Sequence, residues 1–196
     1  GMARPERVTR DMIIALGSRF IATIDSDVAG MRCDQLSSPH SHLMRTAAQW
    51  SLPEPDHAMA ILERLNLIPE ALEQSAGRFT EAVHLGRPPA LITVRRSLSM
   101  LDGYLGSALE QDPFLRIGAP EGWHGGGAWR DRLVATVRDV VRPGFARYRD
   151  TFQEELLPAA RPHEKSGLLW VRDGEELYAS TIAEHTTLQL AADEIH

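Results

Sequence analysis

"VATVRDVVRPGFARYRDTF" (residues 134–152) decides how the chain folds. Its apolar residues are Val134, Val137, Val141, Phe145, Tyr148 and Phe152, spaced 3, 4, 4, 3 and 4 apart. That period fits one face of an α-helix and not a strand, in which apolar positions alternate. The stretch predicts the longest helix of the chain, around residues 128–157. Pro143 lies inside it, and a proline ring displaces a helical backbone bond, so a kink is expected there. Before the helix, "QDPFLRIGAPEGWHGGGAWR" (111–130) reads as a loop, with three consecutive glycines. After it, "LPAARPHEKSG" (157–167) ends the pattern.

The same period recurs outward from this rod. Near the start, Ile13, Leu16, Phe20, Ile24 and Val28 form one stripe that Gly30 ends. Ser38 is placed to cap a short helix running to Trp50, with Pro39 at its first position. Ile61, Leu65, Ile68, Leu72, Ala76, Phe79 and Val83 come next at helical spacing, and Pro69 predicts a kink or two abutting helices. Gly86 suits a left-handed C-cap, and Leu91, Val94, Leu98, Leu101 and Leu105 define the next helix. "LLWVRDG" (168–174) has the character of a short extended piece, after which Asp173 is placed to cap a helix over "GEELYASTIAEH" (174–185). The expectation is an all-α fold, an antiparallel array of six to eight helices in a single helical domain over residues 1–196.

Composition narrows the function classes. A net charge of −6 supplies no basic field for nucleic acid. Lys165 is the only lysine, and the arginines that replace the rest point to codon bias. Cys33 is the sole cysteine, so no internal disulfide can form. No run approaches the roughly 20 apolar residues of a membrane span, and "GMARPERVTR" lacks the apolar core of a secretion signal. The expectation is a cytoplasmic protein with neither nucleic-acid nor membrane partners.

Most chemical motifs fail on inspection. His40 and His42 are two apart, which on a helix points them about 200° from each other, so they read as a surface or capping pair. His163-Glu164 begins an H-E-x-x-H motif, but Gly167 stands where the second histidine belongs. Gly125-Gly126-Gly127 lacks the Lys and Ser or Thr of a phosphate loop, and no G-x-S-x-G elbow exists. Arg138, Arg142 and Arg149 fall within about 40° on a helix, and interleaved acidic residues make them a solvated flank. Tyr178 and His185, seven apart, share a helix face. Thr186 or Thr187 is placed to cap a further helix that carries Glu194.

These last residues also carry a likeness. Val141-Arg142-Pro143, Leu157-Pro158-Ala159-Ala160-Arg161, Gly167, Trp170, Asp173-Gly174, Tyr178, His185-Thr186-Thr187 and Glu194-Ile195-His196 stand in the order of a family pattern. The chain resembles the bacterial domain of unknown function 885, most specifically over residues 140–196. It departs from the pattern at Leu156 and Leu177, which replace tyrosines, at Arg172, which replaces a proline, and at Glu184, where a basic residue is usual. The resemblance implies a largely helical segment of a longer, zinc-peptidase-like hydrolase whose H-E-x-x-P-G-H motif lies downstream of residue 196. Zinc would belong to full-length members only, and this chain would carry no catalytic residue and no metal ligand. Tyr178, His185, Thr186, Thr187 and Arg161 would then line a site for a peptide or small-molecule ligand. The alternative is a stand-alone, non-catalytic binding module. If the segment normally packs on missing helices, its exposed apolar face would drive homodimerisation or instability.

Overall fold

In the computed structural model, which describes residues 4–25, 27–186 and 190–195, the chain is helical nearly throughout. The helices are α1 (Arg4–Asp25), α2 (Pro39–Thr46), α3 (Pro55–Asn66), α4 (Ile68–His84), α5 (Leu91–Gly106), α6 (Gly126–Thr136), α7 (Arg142–Thr151), α8 (Leu157–Ala159), α9 (Gly174–Thr186) and α10 (Ala192–Ile195). Because α6, α7 and α8 join end to end, the ten segments make eight continuous helices, and the described residues form no strand, an all-α array.

Two π-helical turns, Val137–Val141 and Phe152–Leu156, make the joints of that rod. The Arg142 amide donates to the Val137 carbonyl and the Leu157 amide to the Phe152 carbonyl, each five residues back. Each turn is followed two residues after its end by a proline, Pro143 or Pro158. A proline ring crowds the carbonyl four residues earlier. The wider turn makes room for it without breaking the helix, so the disturbance expected at Pro143 takes the form of a π turn.

The π turns also keep the core row in line. Trp129, Leu133, Val137, Val141, Phe145, Tyr148, Phe152 and Leu156 are all buried. Most are four apart, and in an α-helix each such step drifts about 40° around the axis. Over the four steps from Trp129 to Phe145 the drift would turn one residue away from the face of the other. The extra residue in each π turn cancels it.

Against this row packs α4, in the most extensive helix-to-helix contact of the fold. Pro69 lies beside Gly144, and Phe79 meets Phe152 edge-on at 5.9 Å, so α4 runs parallel to α7. α5 runs antiparallel to it: Tyr104 stacks near Phe145 at 4.8 Å, and Asp102 accepts from Arg149 Nε at 2.8 Å. Trp129 ties α3 to α6 by donating its indole N–H to the Ala58 carbonyl at 2.6 Å.

Local expectations hold at Pro69, where α3 and α4 abut across Leu67, and at Gly86, whose φ is +79°. The helix after Ser38 ends at Thr46 and continues to Gln49 as a 3₁₀ turn. Residues 168–170 are not extended but form a 3₁₀ turn, Leu168–Trp170. The glycine run is not wholly loop, since Gly126 and Gly127 begin α6.

α1 forms as its stripe predicts, yet it is not buried. Ile13 is 65% exposed, Phe20 67% and Ile24 75%. The small and polar side of α1, with Ser18 and Ala22, is the side that faces α9.

A Cβ at Gly144 would lie 2.9 Å from Pro69 Cγ and 3.0 Å from Pro69 Cα. Gly144→Ala should therefore destabilise the protein by about 1–2 kcal/mol, overpacking outweighing the smaller gain in helix propensity. Urea denaturation checks this: an unchanged or raised midpoint would mean that α4 and α7 have room to spare.

Candidate functional site

Arg161, expected to face a ligand, is instead 9% exposed and committed to the main chain. Its Nε donates to the Pro88 carbonyl at 2.7 Å, and Nη1 donates to the carbonyls of Lys165 at 2.8 Å and Gly167 at 2.5 Å. The Arg161 amide bonds the Pro89 carbonyl, and the Arg161 carbonyl accepts from Leu91. The residue pins the segment after α8 onto the link between α4 and α5.

α9 begins at a tight turn. Asp173 has φ +57° and accepts from the Leu177 amide through its carbonyl, the first helical bond. Its side chain pairs with Arg87 at 2.9 Å. A Cβ on Gly174 would overlap the Leu168 carbonyl oxygen, so only glycine fits this close approach. Along α9, Tyr178 is half-buried and His185 and Thr186 are exposed. The Thr186 hydroxyl donates back to the Ile182 carbonyl at 2.7 Å, so it closes α9 and does not cap α10. The cap of α10 is the Glu194 carboxylate, which accepts from the Ala191 amide at 2.7 Å. Thr187 lies outside the described residues. A cleft of about 280 Å³ between α1 and α9 is lined by Ser18, Arg19, Ala22, Ala179, Ser180, Ala183 and Glu184, and not by Tyr178 or His185.

The polar concavity that sequence reasoning missed lies between α4 and α7. It encloses about 290 Å³ and is walled by Pro69, Glu73, Ala76, Gly77 and Thr80 on α4 and by Gly144, Arg147, Tyr148 and Thr151 on α7, with Glu155 beyond. A smaller hollow of about 220 Å³, sharing Thr80 and Glu155, continues it to His84. Beneath it, the Tyr148 hydroxyl lies 3.3 Å from His40 Nδ1. His40 is not the surface residue its H-x-H spacing suggests: it is fully buried, with Nε2 lacking a hydrogen-bond partner, whereas His42 is exposed. The opposite facing of the two follows from helix geometry, since α2 turns one side inward.

The three flanking arginines also part company. Arg138 pairs with Asp139 and Arg149 with Asp102 in exposed settings. Arg142 is no solvated flank. It pairs with the buried Asp112 at 3.3 Å and donates to the Leu105 carbonyl at 2.5 Å and the Ser107 carbonyl at 2.9 Å, closing the end of α5. Its guanidinium also sits 5.3 Å from the Tyr104 ring centre.

A family model described as "Bacterial protein of unknown function (DUF885)" matches residues 1–196. The chain belongs to this family. The solved structure of "the putative lipoprotein from Colwellia psychrerythraea" is similar in fold to this DUF885 member, with a TM-score of 0.76 at 19% identity. The match covers 83% of this chain and 29% of that one, so the chain spans under a third of that protein's length. No curated protein matches. Within the DUF885 member, Arg142, Arg161 and Gly174, which carry the family pattern, are parts of the framework.

Cys33 is buried and its thiol is pushed up to about 11 by burial, with Thr93 Oγ1 at 3.7 Å. Burial likewise pushes His40 down to about 4, against a weaker opposing pull from Asp34. The folded protein refuses a proton that the unfolded chain takes near pH 6.5. The stability His40 contributes is thus present above about pH 6.5 and is lost as the pH falls through about 4, roughly 3 kcal/mol in full. His40→Gln should flatten the fall in unfolding free energy between pH 7 and pH 4.5. Parallel pH profiles for the two proteins would show that His40 is not the group responsible.

Proposed function

We propose that this chain is the helical, non-metal-binding part of a zinc-peptidase-like DUF885 architecture, inactive by itself. The observation that carries the reading is that residues of the family pattern brace α9, through Arg161 and Gly174, while α9 presents Tyr178, His185 and Thr186 along its length. Those three would form one wall of a site for a peptide or small molecule, and Arg161 would hold that wall in place. A zinc hydrolase needs several ligands and an open coordination position. Among the described residues, no three His, Cys, Asp or Glu side chains gather where they could hold a metal. No described helix is long and apolar enough to cross a membrane. A cytoplasmic setting belongs to this reading; the structural neighbour is described as a putative lipoprotein.

Zinc titration by calorimetry, with a His185→Ala control, tests the assignment. The expected result is no stoichiometric binding, and no metal-dependent cleavage of a peptide library. Tight binding that disappears with His185 would make the α9 tract a metal site and end the scaffold reading.

A second reading, a non-catalytic interaction module, draws on α1. The helix is 22 residues, about 33 Å, and its outward side chains Ile13, Leu16, Phe20 and Ile24 are 47–75% exposed. Val8, Met12, Ile14 and Ile21, also exposed, extend the apolar surface around the helix on both flanks of this stripe. A second copy, paired α1 to α1, would cover it. Sedimentation should show a dimer at tens of micromolar for the native chain and a monomer for the Ile13→Glu/Phe20→Glu double variant. A native monomer under the same conditions would remove this reading.

A further inference from the structure

We propose that the groove between α4 and α7 binds a small basic amino acid, of the lysine or ornithine type. The inference is independent of the peptidase-like reading and rests on which polar groups the groove has left to offer. Pro69 lies against Gly144, and because the two helices run parallel this sets the levels along the groove. Glu73 comes level with Arg147 and Tyr148, and Thr80 comes level with Glu155, which lines the groove beside Thr80 in both hollows. Arg147 and Glu73 thus flank one end of the groove, both exposed. An α-carboxylate on Arg147 and an α-ammonium on Glu73 would fill that end with complementary charge.

The other end is built from acceptors. The Thr80 hydroxyl donates its proton to the Gly77 carbonyl at 3.0 Å, and the Thr151 hydroxyl donates to the Arg147 carbonyl at 3.4 Å. Both oxygens are left with lone pairs only, beside the Glu155 carboxylate. Three acceptors of this kind match the three donors of a terminal ammonium. From Arg147 to Glu155 the helix rises about 12 Å, which two long side chains shorten to the span of a five- or six-carbon diamino acid. The lining carries two carboxylates and one guanidinium, and the ligand carries two ammoniums and one carboxylate. The cavity of about 290 Å³ lies at the small end of ligand sites, which suits a single amino acid better than a folded partner. Gly77 and Gly144 keep the walls low, and the buried Tyr148 ring forms the floor.

The test is calorimetric titration of the 196-residue chain with L-lysine, and at equal ionic strength with norleucine, which lacks the second ammonium, and cadaverine, which lacks the carboxylate. L-Lysine should bind one to one, at least about tenfold tighter than either analogue, and should raise Tm. Glu155→Gln should weaken lysine about tenfold and leave norleucine unchanged. Arg147→Ala should weaken lysine and leave cadaverine unchanged. Both side chains stand at the rim of the groove, and the Tm of each variant without ligand verifies its fold. Absence of saturable lysine binding up to about 10 mM, or equal affinity for lysine and norleucine, would overturn the proposal.

Discussion

The seating of α4 on the π-turned rod is the constraint on which the rest of this structure depends. A row of large side chains from Trp129 to Leu156 must present one continuous face, and a regular α-helix cannot keep residues four apart in line over that length. Two inserted residues, each beside a proline, hold the row straight. Only then can Pro69 close on Gly144 at one end while Phe79 closes on Phe152 further along. The core, the buried His40–Tyr148 contact and the groove all depend on that one alignment.

The helices themselves were legible because apolar periodicity is a local property. The stripe around Val141, the break at Pro69 and the cap at Gly86 each depend on a few neighbouring residues. What the pattern could not show is whether a stripe finds a partner. The stripe on α1 looks like any core helix, yet its apolar residues point away from the body. Residues 168–170 read as extended because Leu168, Leu169 and Trp170 have no helical period, but the demand of Arg161 for the Gly167 carbonyl curls the chain into a tight turn.

The candidate site was legible only in part, and for a related reason. Tyr178 and His185 do share one helix, as their spacing required. Arg161 was recognisable as special, but its specialness lies in holding backbone carbonyls. The spacing of His40 and His42 excludes a metal shared by both but says nothing of one histidine packing inward alone, as His40 does. The α4–α7 groove joins side chains from two distant segments, and their relative register is set by the Pro69–Gly144 approach, which no local spacing encodes.

Arg161 and Arg142 have one further consequence. Arg161 reads only carbonyl oxygens, those of Pro88, Lys165 and Gly167, and Arg142 holds those of Leu105 and Ser107 as well as Asp112. A main-chain oxygen is the same whatever side chain accompanies it. Apart from Asp112, whose side chain is itself a partner, the loop residues these arginines grip can therefore change over evolutionary time, while each arginine itself has no ready substitute. Lineages of this fold can diverge widely in the connecting segments and still close on the same scaffold.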